Sequence, residues 1–75
     1  MEHAHLITMA NRIGEFFAAQ PDRDEALAGI ADHIRKFWVP GMRTAILAIV
    51  GTEAGAGLSE IVVAALTTHR ALLEP

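Results

Sequence analysis

Three interruptions of a helical pattern constrain this chain more than any other feature. Large apolar residues recur at steps of three and four along its 75 residues, the spacing that puts side chains on one face of an α-helix. Pro21, Pro40 and the glycines between positions 51 and 57 break that pattern, because proline ends or kinks a helix and clustered glycines form loops. The sequence therefore predicts an all-α fold, a small bundle of four short helices over about residues 4–19, 23–38, 40–50 and 60–73.

Residues at the predicted helix ends agree with these boundaries. Asp22, followed three residues later by Glu25, has the spacing of an N-cap with its capping box. Pro40 pushes Val39 towards an extended conformation and suits the first position of the third helix. Ser59 is the predicted N-cap of the fourth helix.

The apolar residues define one predicted core, so residues 1–75 are expected to form a single domain. A core of this size is close to the minimum for a chain that folds alone, and a partner or self-association often stabilises such a chain. The predicted stripes are Leu6, Met9, Ala10, Ile13, Phe16 and Phe17 in the first helix, Leu27, Ile30, Ala31, Ile34 and Trp38 in the second, Met42, Ile46, Leu47, Ile49 and Val50 in the third, and Leu58, Ile61, Val62, Ala65, Leu66, Leu72 and Leu73 in the fourth.

Composition argues against several classes of function. A net charge of -3 gives no overall attraction to nucleic acid or to an anionic membrane. The absence of cysteine removes disulfides, thiol nucleophiles and thiolate ligands for iron–sulfur clusters. Neither a signal-peptide pattern nor a membrane-spanning apolar run is visible, so a cytoplasmic location is expected.

The candidate partner surface lies around the predicted corner between the second and third helices. On a helix, Phe37 lies about 100 degrees from the stripe that contains Trp38, so it falls on the flank that holds His33. Together with Pro40 and Arg43 it forms the predicted interface, since aromatic and arginine side chains often dominate binding energy. Single-strand nucleic-acid binders also interleave rings with cations, but the acidic surroundings favour a protein partner.

A second candidate flank lies on the first helix, where Asn11 and Gly14 are small enough for another backbone to approach closely. The alternative is that this flank is the edge of the core. No residue is predicted to be catalytic, to bind a cofactor or to ligate a metal. His3 and His5 have no clear third ligand nearby and are expected to lie on a frayed terminus.

Several identities in a fixed order carry a family resemblance from about Leu6 to Leu66. These identities are Met9-Ala10-Asn11, Phe16-Phe17, Pro21-Asp22 and the run His33-x-Arg35-x-Phe37-Trp38-x-Pro40-x-Met42-Arg43. Through them the chain resembles the delta subunit of NAD-dependent, molybdenum-containing formate dehydrogenases. It departs from the family pattern at Val39 and Gly41, where an acidic residue and an arginine are common.

The resemblance implies a non-catalytic accessory subunit that stabilises the complex or supports its maturation. Other subunits would hold bis-molybdopterin guanine dinucleotide, iron–sulfur clusters and FMN, and would transfer electrons from formate to NAD. The molybdenum-containing catalytic subunit is the expected partner among these large chains. Two alternatives stay open, a transient assembly factor that aids insertion of the molybdenum cofactor and a self-associating helical protein.

Overall fold

The computed structural model describes residues 2–75 and confirms an all-α fold. Helix accounts for 77% of residues 2–75, which contain no strand. Met1, the first residue of the predicted domain, lies outside the described residues. The helices are α1 (His3–Ala18), α2 (Arg23–Phe37), α3 (Pro40–Ile49), α4 (Glu60–Thr68) and α5 (Arg70–Leu73), with a 3-10 turn over Glu53–Gly55.

Local sequence signals set the first two breaks. The Asp22 carboxylate accepts a hydrogen bond from the backbone N–H of Glu25 at 3.1 Å and so caps α2. Trp38 and Val39 are extended, and Pro40 occupies the first turn of α3. Both predicted helix starts are confirmed.

The core lies around α2, which packs against α1, α4 and α5. The predicted stripe of α2 is entirely buried, and Trp38 at its end is only 5% exposed. No helix within residues 2–75 is long and apolar enough to cross a membrane. The buried core comprises Leu6, Ala10, Leu27, Ile30, Ala31, Ile34, Trp38, Ile46, Leu47, Ile49, Leu58, Val62, Ala65, Leu66 and Leu73.

The stripe predicted for α1 is partly wrong. Its buried line is Leu6, Ala10 and Gly14, whereas Phe16 is 74% exposed. The helix is rotated towards its small residues because α4 approaches there, and a Cβ added at Gly14 would lie 2.6 Å from Cγ2 of Val62. That rotation turns Phe16 out of the core.

The single helix predicted over residues 60–73 is also wrong, since it breaks at His69 into α4 and α5. His69 leaves the helical region with φ -110° and ψ 27°, after two threonines that favour helix only weakly. In α5, Leu73 is fully buried and Leu72 is largely exposed. The side chain of Arg70 donates to the backbone oxygen of Leu47 in α3 at 3.4 Å.

Candidate partner-binding surface

Four rings from α1 and α2 form a continuous row, which we call the aromatic strip: Phe16, Phe17, His33 and Phe37. The Phe16 and Phe17 rings meet edge to face with centroids 5.1 Å apart. The Phe17 and His33 centroids are 6.4 Å apart, and those of His33 and Phe37 are 4.8 Å apart. The strip therefore crosses from one helix to the other without a gap between neighbouring rings.

Helix geometry explains how the strip is assembled. His33 and Phe37 are four residues apart, so they lie on the same face of α2. Gly29 is one turn earlier, and a Cβ there would lie 2.5 Å from Cε1 of Phe17. The bare Cα of Gly29 thus lets the ring of Phe17 lie against α2.

The two ends of the strip are open to solvent. Phe16 is 74% exposed and Phe37 is 71% exposed, although large apolar rings are normally covered. The predicted position of Phe37, beside His33 and away from the stripe of Trp38, is confirmed. Neither α3 nor α4 covers the Phe37 ring. Adjacent exposed rings are typical of a surface that binds a partner.

A shallow groove of about 330 Å³ runs along the strip, lined by Arg12, Ile13, Phe16, Phe17 and His33. The surface of the groove is almost entirely apolar. Its lining includes the cationic residue Arg12 and no acidic residue. The groove therefore combines an apolar lining with one arginine.

The remaining members of the predicted corner surface lie in different environments. Pro40 is exposed at the start of α3. Arg43 is half-buried on the side of α3 that also carries buried Ile46 and Leu47. Its Nε is buried, with no hydrogen-bond partner within residues 2–75. Part of the Arg43 side chain is thus enclosed by this chain, which makes Phe16 a better candidate for contact with a partner.

The second predicted flank is a contact within the chain. The Asn11 amide nitrogen donates to the backbone oxygen of Gly57, and its side-chain oxygen accepts from the backbone N–H of Ser59, both at 2.9 Å. Gly14 is buried against Val62. Gly14 meets side chains of α4, and Asn11 bonds the backbone that leads into α4, so this flank is the edge of the core. Gly14 is therefore unavailable to a partner.

Asn11, and not the Ser59 side chain, supplies a hydrogen-bond acceptor at the start of α4. Ser59 occupies the N-cap position of α4, but its side chain makes no capping hydrogen bond. Its Oγ is buried and has no hydrogen-bond partner among the residues described. An asparagine of α1 thus satisfies a backbone donor at the start of α4, a function of N-cap side chains.

Neither terminal histidine forms a recognisable metal centre. His3 and His5 lie on α1 rather than on a frayed terminus, and residues two apart on a helix do not face each other. Within residues 2–75, no three His, Asp or Glu side chains come close enough to hold a metal ion. The predicted absence of cofactors from this chain stays a prediction.

Sequence reasoning missed two features of this part of the molecule. The apolar pattern of α1 does not mark Arg12 as part of a groove. The ion pair between Arg23 and Glu60, with both carboxylate oxygens within 2.8 Å of the arginine Nη2, joins the first turns of α2 and α4. Nothing in the local pattern marks either feature, because both depend on how separate helices pack.

Comparison with protein families places the chain in a known family. The family described as NADH-dependent formate dehydrogenase delta subunit (FdsD) matches residues 5–66, most of the 75-residue chain. The matched range agrees closely with the extent of the resemblance seen in the sequence. No curated protein and no solved structure gives a match.

Proposed function

Because the chain belongs to the delta-subunit family of NADH-dependent formate dehydrogenases, we propose that it is a non-catalytic accessory subunit. In this role it binds the larger subunits of a cytoplasmic formate dehydrogenase and stabilises the complex or supports its maturation. The observation that carries the proposal is the aromatic strip. Its end rings, Phe16 and Phe37, are exposed and lie outside the buried core of this chain.

The proposed partner is the molybdenum-containing catalytic subunit. Under this proposal bis-molybdopterin guanine dinucleotide, the iron–sulfur clusters and FMN reside in the larger chains, which oxidise formate and reduce NAD. The cysteine-free sequence supports that division, since iron–sulfur clusters are held chiefly by cysteine thiolates. The isolated chain is expected to bind no iron, molybdenum or flavin and to oxidise no formate.

Co-purification tests the proposal directly. The large subunits would be co-expressed with the wild-type chain or with a Phe16→Ala/Phe37→Ala double variant, and the stoichiometry of the purified complex measured. Because interface rings contribute about 2 kcal/mol or more each when central, the double variant is expected to be lost from the complex. Its circular dichroism should stay helical, since both rings are exposed.

Leu72→Ala is the matched control, because Leu72 is an exposed apolar residue outside the strip. This variant is expected to co-purify like the wild type. Full retention of the double variant would contradict binding through the strip. If the wild-type chain raises the molybdenum content of the complex and is then absent from it, the role is that of a transient assembly factor.

A further inference from the structure

The groove beside the aromatic strip has two properties that together specify an occupant. Its interior is apolar, and its lining contains Arg12 and His33 without an acidic residue. The three ion pairs found within residues 2–75 do not involve Arg12. An occupant that matches both properties is apolar at its centre and negatively charged at its edge.

A second copy of this chain fits the groove poorly. In a two-fold contact the same patch lies on both sides, so each side presents Arg12 and neither lining presents a carboxylate to pair with it. Like charges brought together across an interface oppose association. A heterologous contact between copies avoids that repulsion but continues into an open chain unless its rotation closes a ring.

The size and shape of the groove favour a side chain over an enclosed small molecule. Its volume of about 330 Å³ lies at the lower end of the range of roughly 300–1,000 Å³ seen for small-molecule pockets. It is lined by residues of both helices, Ile13 and Phe17 on α1 and His33 on α2. Such an open apolar groove between helices suits the apolar face of a third helix.

We propose that the groove receives one large apolar side chain from an amphipathic helix of another formate dehydrogenase subunit. A carboxylate within one helical turn of that side chain pairs with Arg12. The inference rests on the proposed function, from which it takes the partner, and adds the chemistry by which that partner is recognised. Phe16 and Phe17 flank the inserted side chain, and Arg12 fixes its orientation.

The first test changes the charge of Arg12 and leaves the rings in place. Large subunits purified without this chain would be titrated with the wild type, Arg12→Glu and Arg12→Lys. Arg12→Glu places a carboxylate against a carboxylate, so binding is expected to weaken at least about tenfold. Arg12→Lys keeps the charge and is expected to bind more tightly than Arg12→Glu.

Arg35→Glu is the matched control, because Arg35 is exposed and is two residues from His33, on the opposite side of α2. Its expected effect is below about threefold, as for other exposed charges. Equal weakening by Arg12→Glu and Arg35→Glu would show a general charge effect and overturn the proposal. Unchanged binding of Arg12→Glu would overturn it as well.

The second test identifies the occupant by photo-crosslinking. A benzoylphenylalanine placed at Phe16 keeps an aromatic ring at the groove, and one placed at Leu72 serves as the control. In the assembled complex, the Phe16 probe is expected to label a helical segment with a Leu, Met or Phe and an Asp or Glu within four residues. Labelling of a segment without an acidic residue, of a second copy, or of nothing would overturn the proposal.

The two tests separate failure of the groove from failure of the proposed function. If the Phe16→Ala/Phe37→Ala variant leaves the complex while Arg12→Glu stays bound, the accessory role holds and the groove proposal is wrong. If the wild-type chain never associates with the large subunits, both are wrong.

Discussion

Trp38 and Phe37 are adjacent in the chain and lie in opposite environments. Trp38 is 5% exposed and belongs to the core, whereas Phe37 is 71% exposed. Phe37 is the last residue of α2, and Trp38 is the extended residue that follows it, so the two rings leave the end of the helix in different environments. One large ring therefore stabilises the fold while its neighbour remains available for binding.

Replacement of each ring by alanine should separate these roles. Trp38→Ala removes a buried ring and is expected to lower the free energy of unfolding by about 3–5 kcal/mol, because the cavity cannot close fully. Phe37→Ala is the matched control and should cost at most about 1 kcal/mol. Urea unfolding followed by circular dichroism measures both. Equal losses would contradict the assignment of Trp38 to the core.

The position of a single residue could be predicted where it depends on its neighbours in the sequence. The Asp22 cap and the Pro40 corner depend on neighbours within four positions, and both are confirmed. Phe16 could not be placed correctly, because its exposure depends on α4 packing against Gly14. The hydrogen bonds of Asn11 join residues 46 and 48 positions apart, and the local apolar pattern does not specify such distant partners.

Helices α1 and α4 approach closely because α1 presents a glycine at their contact. A Cβ at Gly14 would lie 2.6 Å from Val62 and 3.3 Å from Ile61, closer than side chains normally pack. The Asn11 hydrogen bonds hold the start of α4 to the same region of α1. Separation of the two helices would therefore open the packing at Gly14 and break the hydrogen bonds of Asn11.

Gly14→Ala tests how closely α1 and α4 pack. The added methyl group overpacks the contact, and a loss of about 1–3 kcal/mol in the free energy of unfolding is expected. Gly41→Ala is the control, since a Cβ at Gly41 meets no described atom within 4 Å. Because alanine favours helix over glycine, the control should be neutral or stabilising by up to about 1 kcal/mol. Chemical denaturation measures the stability of both variants. A greater loss of stability in Gly41→Ala than in Gly14→Ala would contradict close packing of α1 on α4.

At the element scale, the sequence predicted three helices nearly correctly and the fourth only in part. Periodicity continues across His69, because Leu66 and Leu73 are seven residues apart and would share a face of one helix. The break instead accompanies the bond from Arg70 to the backbone of α3. Apolar periodicity alone does not reveal that bond.

The whole molecule has one core and measures 33 × 23 × 17 Å along its principal axes. Within residues 2–75, the groove is lined by Arg12 and His33 and by no acidic residue. Two-fold pairing of the groove with itself is thus disfavoured by charge. We therefore expect a monomer when the large subunits are absent, and self-association is the alternative.

A monomer with one core should unfold in one transition whose midpoint does not depend on protein concentration. Thermal melts over a hundredfold range of concentration test this, with an expected unfolding enthalpy of roughly 50 kcal/mol for a chain of this length. Association of the folded state would raise the midpoint as concentration increases. Such a rise would favour a self-associating protein.

The position of Leu73 has a consequence for synthesis on the ribosome. Leu73 is fully buried, and α5 packs against α2, which is made much earlier. The part of α2 that packs against α4 and α5 consequently stays exposed until these two helices have been translated. Contacts between such distant segments also form slowly. During that interval the nascent chain exposes the side chains that later become its core, so chaperones can bind it before folding is complete.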